Sequence, residues 1–330
     1  MATSEQLKAL IKSHFEGDAE RFLTTALQLA AHEARKGHSA VAQDIRLIVD
    51  KGKQSSAKIL PIKPDLEGLV IVVEPNIRLS QLVLPETLIN KIKRILREFR
   101  QRSKLLKHGL SNRRKILLTG PPGTGKTMTA YVMAAEMKLP LYVVLVDKLV
   151  TKYMGETSAK LRQIFDLIQE KQALFLFDEF DAIGAERSRD NDVGEMRRVL
   201  NAFLQYIERD DSDSFIVAAT NSIDVLDQAL FRRFDDILQY AKPTESDIIQ
   251  LVENRLGTFK AGYAPSTIAK VAEGLSHAEV AQACDDAIKE AILSGKTKVK
   301  EEHLLETLRD RKEAYRSFIA QQNASLTPLT

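Results

Sequence analysis

Gly120-Pro121-Pro122-Gly123-Thr124-Gly125-Lys126-Thr127 is the stretch whose reading decides the fold. An apolar run, Ile116-Leu117-Leu118, precedes it, and a helix-compatible segment from Met128 to Lys138 follows. Strand, glycine-rich loop and helix are the context that a phosphate-binding loop requires. The glycines let the backbone curl so that successive N–H groups converge on one anion, and the positive end of the next helix reinforces them. Lys126 then reaches the β- and γ-phosphates of a nucleotide, while the Thr127 hydroxyl coordinates Mg²⁺. The chain reads as a nucleotide-binding protein.

Outward from this loop, four further strand-like runs follow: Leu141 to Val146, Ala173 to Phe177, Ser214 to Ala219 and Ile237 to Tyr240. Helical segments separate them, and short, continuously apolar runs alternating with helices argue for a parallel sheet covered on both faces. From Pro243 onward the pattern is helical through Asp247–Leu256, Pro265–Glu273, His277–Ser294 and Glu301–Ile319, with Gln321 to Thr330 expected as a frayed tail. Before the loop, Leu88, Ile92, Ile95, Leu96 and Phe99 form one face of a helix whose other face carries Lys91, Lys93, Arg94, Arg97, Arg100 and Arg102. A nucleic-acid patch and a solvated surface both fit such a face, and the solvated surface is the commoner case.

Ser4 to about Lys53 reads as three helices. Leu7, Leu10, Ile11 and Phe15 give the first apolar stripe, Phe22, Leu23, Ala26, Leu27 and Ala30 the second, and Val41, Ile45, Leu47 and Ile48 the third. His14, His32 and His38 lack metal-ligand spacing and are expected on the solvated surface. Ile59 to Glu74 holds short apolar runs broken by Pro61, Pro64 and Gly68, so small strands or extended chain are expected there. The expected organisation is α/β. An N-terminal helical domain spans 1–55 and a linker with short strands 56–80. An α/β core with the parallel sheet spans 81–242, and a C-terminal helical lid with its tail 243–330.

Composition narrows the class. A chain of 330 residues suits about two domains, since single cores stop growing near 250–300 residues. The apolar fraction of 44% is ordinary for a globular protein, and no apolar run reaches the roughly 18 residues needed to span a bilayer. Without a signal-peptide core and with one cysteine, Cys284, the expectation is a cytoplasmic protein with no membrane association and no disulfide framework. A formal charge of +3 is too close to balance to argue for nucleic acid, and with no tryptophan and few aromatics a dedicated base-stacking surface is not expected, so nucleic acid is not an expected partner.

Two further features bear on chemistry. Leu174-Phe175-Leu176-Phe177-Asp178-Glu179 is a buried-type strand ending in two carboxylates. Asp178 suits Mg²⁺, directly or through water, and Glu179 suits polarisation of an attacking water. Thr220-Asn221 closes the run from Ser214 to Ala219, where the Asn221 amide can orient that water near the γ-phosphate.

These residues resemble the AAA family of ATPases, within the wider AAA+ superfamily, over roughly Leu82 to Ser294. The loop resembles the family's Walker A, Phe175 to Asp181 its Walker B, Ala218-Ala219-Thr220-Asn221 its sensor 1, and Ser222 to Asp235 its second region of homology. The resemblance implies an ATP hydrolase that contacts its nucleotide through Gly120, Pro121, Pro122, Gly123, Thr124, Gly125, Lys126, Thr127 and Met128, with Mg²⁺ on Thr127 and Asp178. It implies that Lys126, Glu179 and Asn221 act in catalysis, and that Arg232 and Arg233 reach the γ-phosphate held by a neighbouring subunit, the usual assembly being a hexamer. Thr151 to Thr157 resembles the first pore loop, in which Tyr153, beside Lys152 and Met154, would grip a polypeptide in a central channel. Arg187 to Val193 falls where the second pore loop lies. The sequence departs from the family at Gly274-Leu275-Ser276-His277-Ala278-Glu279: His277 stands in place of a glycine close to the nucleotide, and no arginine stands at this helix start.

The leading expectation is an ATP-driven protein remodeller acting on a protein client. A regulatory ATPase controlling a separately encoded partner, such as a serine protease, is the second reading. A DNA-associated ATPase is the third, resting only on the basic helix. No His-Glu-x-x-His or Gly-x-Ser-x-Gly occurs in the chain, so any proteolysis must come from another polypeptide.

Overall fold

A computed structural model describes residues 4–15, 19–55, 66, 68–149, 156–181, 192–222 and 231–325. The expected pore-loop residues Lys152, Tyr153 and Met154 lie outside them. So do residues 56–65 and 67 of the linker, residues 187–191 of the second loop and residues 223–230 of the second region of homology. The chain divides into two compact units, Met1–Pro61 and Ile62–Thr330.

The first unit holds α1 (Ser4–Phe15), α2 (Ala19–Arg35) and α3 (Ser39–Ser55). Its buried positions include small ones, Ala26 and Ala30 on α2 and Ala42 on α3 with Val49, which let the helix axes approach closely. This corrects the third apolar stripe. Val41, Leu47 and Ile48 are 50%, 52% and 69% exposed, and α3 instead turns the Ala42–Val49 face inward. Both faces satisfy the helical period, and pattern alone does not choose between them. The histidines divide. His38 Nδ1 lies 2.7 Å from Glu33 Oε2, whereas His32 is half-buried rather than solvated.

The second unit is built on a six-stranded sheet. Its strands are β1 (Val70–Val73), β2 (Lys115–Thr119), β3 (Leu141–Val144), β4 (Leu174–Phe177), β5 (Phe215–Thr220) and β6 (Asp236–Gln239), in the order β1-β3-β4-β5-β2-β6. All neighbouring pairs run parallel except β1 with β3, which closes one edge antiparallel. Alternate residues of each strand face opposite layers. Leu174 and Leu176 face α4 (Glu86–Arg100) and, following the short α5 (Arg102–Leu106), α6 (Lys126–Met137). Phe175 and Phe177 face α8 (Glu156–Glu170), which follows the short α7 (Val146–Leu149), and α9 (Asp192–Arg209). Both layers exclude water, which explains why these strands read as unbroken apolar runs.

The apolar face of α4 is buried at all five expected residues, and Phe99 meets Phe215 edge-on at 5.4 Å. Much of its basic face is matched by carboxylates. Lys91 pairs with Asp236 at 3.8 Å, Arg94 with Glu98 at 3.3 Å, and Arg100 with Glu136 at 2.8 Å. Among the described residues four α-helices follow β6: α10 (Glu245–Leu256), α11 (Pro265–Ala272), α12 (His277–Leu293) and α13 (Glu301–Ser325). They enclose a separate core of Ile248, Val252, Ile268, Val280, Cys284 and Leu308 among others. Helix α13 runs through Gln321 to Ser325, the first half of the expected frayed tail. Among the described residues no helix is long and apolar enough to cross a membrane.

Candidate active site

Three chain turns meet at the carboxyl end of the adjacent strands β4, β5 and β2, the usual ligand crevice of a parallel α/β sheet. The register sets Thr119 beside Thr220 and Phe177 beside Ala218, so Gly120, Asn221 and Asp178 emerge side by side. Gly120 has φ +142°, and a Cβ there would strike the carbonyl oxygen of Tyr240 just beyond β6. Gly123 has φ +71°, and a Cβ would fall 2.6 Å from Ser276 Oγ. At these two positions glycine is favoured by a close neighbour, backbone at Gly120 and the Ser276 side chain at Gly123, as well as by conformation. Tyr240 is itself buried. Its hydroxyl donates to Thr129 Oγ1 at 2.8 Å, and Thr129 Oγ1 donates to the Gly125 carbonyl at 3.0 Å, which ties β6 to the base of the loop.

Lys126 opens α6 and is buried. Its Nζ donates to the carbonyls of Gly120 (2.7 Å) and Pro121 (2.8 Å) and to Asn221 Oδ1 (2.8 Å). Burial lowers the pKa of this amine, and the charges of Asp178 and Asp181 oppose that shift. Thr127 Oγ1 donates to Asp178 Oδ2 at 2.8 Å, so two hard oxygen ligands stand together, the donor set that suits Mg²⁺. Glu179 is exposed at the mouth of the site and carries a left-handed φ of +52°. A glutamate in that region costs about 1–3 kcal/mol and is held by its surroundings. Here Phe180 N donates to Ala219 O at 2.8 Å, and the Glu179 N–H donates to Asp178 Oδ1 at 3.0 Å. The backbone N–H of Asn221 donates to Asp181 Oδ1 at 3.3 Å, which fixes the third turn.

A cavity of about 700 Å³ opens above this floor. It is lined on one side by Leu82 and Val83, below by Pro122 to Met128 with Asp178, Glu179 and Asn221, and above by the helical lid. The lid is docked through Ala278 N, which donates to the Gly123 carbonyl at 3.0 Å. Ser276 caps α12 reciprocally: its Oγ accepts from Glu279 N at 3.3 Å, and Ser276 N donates to Glu279 Oε2 at 2.6 Å. The expected nucleotide-contacting run therefore lines the cavity from Pro122 to Met128, while Gly120 and Pro121 lie behind it and hold Lys126. Sequence reasoning missed Arg255. It lines the cavity from α10 and grips Asp285 of α12 with two bonds of 2.6 Å. Thirty residues separate the partners in sequence, and no local pattern pairs them.

Arg232 and Arg233 lie elsewhere. They precede β6, and Asp235 just after them accepts from the backbone N–H groups of Arg114 and Lys115 at 2.9 Å, beside the start of β2. The phosphate loop leaves the other end of β2, so about 13 Å of strand separates the two arginines from it at the usual rise per residue. Arg232 is exposed, and Arg233 Nε lies 3.3 Å from Glu208 Oε2.

A largely parallel sheet with a glycine-rich phosphate loop opening a helix, and carboxylates at the end of a neighbouring strand, defines a P-loop nucleoside triphosphatase. Residues 116–241 match the family described as ATPases associated with various cellular activities (AAA). A AAA family ATPase of Sinorhizobium fredii, itself uncharacterized, is 32% identical over 317 residues, covering 94% of this chain and 96% of the relative. The proteasome-activating nucleotidase of Pyrococcus horikoshii is 31% identical over 282 residues, 80% of this chain and 69% of its own. That of Saccharolobus solfataricus is 28% identical over 295 residues, 86% and 74% respectively. The chain belongs to the AAA family of ATPases and is an ATP hydrolase.

Proposed function

We propose that this ATPase is a protein remodeller that works as a ring. Each site would be completed by Arg232 and Arg233 of a neighbouring subunit, and hydrolysis coupled to moving a polypeptide client past Tyr153. The observation that carries the reading is the position of the two arginines at the end of the sheet opposite their own phosphate loop. They suit a neighbour's site far better than their own. The likeness to proteasome-activating nucleotidases supports work on proteins, and a homohexamer is the assembly the family resemblance implies.

Within one chain the chemistry divides plainly. Lys126, released from its carbonyl partners, binds the β- and γ-phosphates, and the N–H groups of the loop hold the remaining phosphate oxygens. Thr127 and Asp178 would hold Mg²⁺, which supplies neutralisation of phosphate charge. Glu179 takes the proton of the attacking water, and Asn221 orients that water while its other partner is Lys126.

The second reading, a regulatory ATPase serving a separately encoded protease, draws on the same relatives, whose names state proteasome activation. The DNA-associated reading is disfavoured by the carboxylates that already pair with Lys91, Arg94 and Arg100. Mixing decides the trans arrangement. Arg232→Ala/Arg233→Ala protein and Lys126→Ala protein should each be inactive alone, and together should recover hydrolysis at mixed interfaces. Full activity of the wild-type chain at high dilution, where no assembly persists, would refute it.

A further inference from the structure

His277 is buried, 7% exposed, and both of its ring nitrogens lack a hydrogen-bond partner among the described residues. A buried polar group in that condition costs stability unless something else satisfies it. The same residue is among those lining the cavity, one helical turn before Ala281, which lines it too. The lining is mixed. Besides Lys126, Thr127, Asp178, Glu179 and Asn221 it holds apolar Leu82, Val83, Leu251, Ala278 and Ala281, surface that suits a ring system rather than a triphosphate, together with polar Ser80, Gln81, Asn254 and Arg255. His277 opens α12, at the helix start that the Ala278–Gly123 hydrogen bond pins to the phosphate loop.

We propose that His277 is a nucleoside-recognition residue, using a ring nitrogen to hydrogen-bond the base or ribose of the bound ATP. This rests on the reading of the cavity as the ATP site. The imidazole is neutral there: burial lowers its pKa, with Asp247 opposing, and a cation at the N-terminus of α12 would face the positive end of that helix. Asp247 is turned to the α10 cap, where its Oδ2 accepts from Thr244 N at 2.9 Å. A neutral imidazole offers one donor and one acceptor, which matches the uncharged edges of a nucleoside and is a poor partner for phosphate.

The test uses the full chain in a Glu179→Gln background, so that ATP binds without turnover, and measures Kd by titration calorimetry. His277→Ala should weaken ATP about tenfold, the usual worth of one hydrogen bond to a group otherwise left unsatisfied. It should not lower the melting temperature without nucleotide, because the imidazole has no described internal partner to lose. His277→Asn and His277→Gln keep a donor and an acceptor, and one of them should restore part of the affinity. Analogues then locate the contact. The effect of His277→Ala should vanish for one of 7-deaza-ATP, the 6-desamino analogue, 2′-deoxy-ATP or 3′-deoxy-ATP, naming base or ribose. An unchanged Kd, or a loss equal for ATP and all four analogues, would overturn the proposal. Failure of the parent chain itself to bind ATP would instead remove the reading of the cavity.

Discussion

Gly123→Ala should destabilise the protein through two elements at once, because Gly123 is where the phosphate loop meets the lid. Its φ of +71° costs an alanine about 1–2 kcal/mol. The new Cβ would also lie 2.6 Å from Ser276 Oγ, 3.1 Å from Ser276 Cβ and 3.3 Å from Ala278 Cβ. Ser276 must therefore rotate or retreat, and its bond to Glu279 N is lost with it. An N-cap of this kind contributes about 1 kcal/mol, so the total is about 2–3 kcal/mol. Ser276→Gly alone should cost only a few tenths of a kcal/mol, since glycine is tolerated at an N-cap. In the double variant the Ser276 Oγ and Cβ that the new Cβ would strike are gone, leaving the 3.3 Å approach to Ala278 Cβ, backbone strain and the missing cap. The two substitutions should therefore be non-additive by about 1 kcal/mol, the double variant being more stable than the sum. Urea denaturation of the four proteins, read through exposure of Cys284 in the lid, measures the cycle. Additivity within about 0.3 kcal/mol would refute the claim that loop and lid are coupled through this contact.

Three other outcomes are expected. Glu179→Gln should bind ATP and hydrolyse it at least about a hundredfold more slowly, the usual size of a lost general base; near-normal turnover would reassign the base. Cys284 is fully buried and its thiol is pushed up to about 12, chiefly by burial. At pH 8 its thiolate fraction is about a thousandfold below that of an unperturbed thiol, so a thiol reagent should label only unfolded protein, and rapid labelling of the native chain would contradict the packing. Tyr153→Ala should leave basal hydrolysis near the parental rate and abolish work on a protein client, because an aromatic contributes most of the contact area at such a grip. Retained client processing would remove the pore-loop reading.

The central strands were legible because both their faces are covered, so Ile116-Leu117-Leu118 and Leu174 to Phe177 are apolar without interruption. Asp178 was legible as a strand end for the same reason, following directly on Phe177, and Gly120 and Asn221 likewise, each one threonine beyond an apolar run. Strand β1 was harder. Its register against β3 is antiparallel and joins residues about seventy positions apart, and nothing local announces such a pairing. The neutralised face of α4 was equally hidden, since Glu136 and Asp236 are distant in sequence from Arg100 and Lys91. In α3 the composition offered two usable faces, and the smaller side chains took the inside. His277 was visible as a departure, but its burial with two unpartnered nitrogens is a property of the folded chain that no local pattern carries.

The separation of Arg232 and Arg233 from their own phosphate loop has a consequence in symmetry. A contact that joins the amino end of one sheet to the carboxyl end of the next is head-to-tail, and such a contact closes into a ring or runs on as a helix. Under the proposed trans completion, a closed ring carries as many complete sites as subunits. An open spiral always carries one fewer, with one terminal subunit holding nucleotide it has no arginines to act upon. Any event that opens the ring at one seam would thus silence one site and leave the others working, and the count of active sites would itself report whether the assembly is closed.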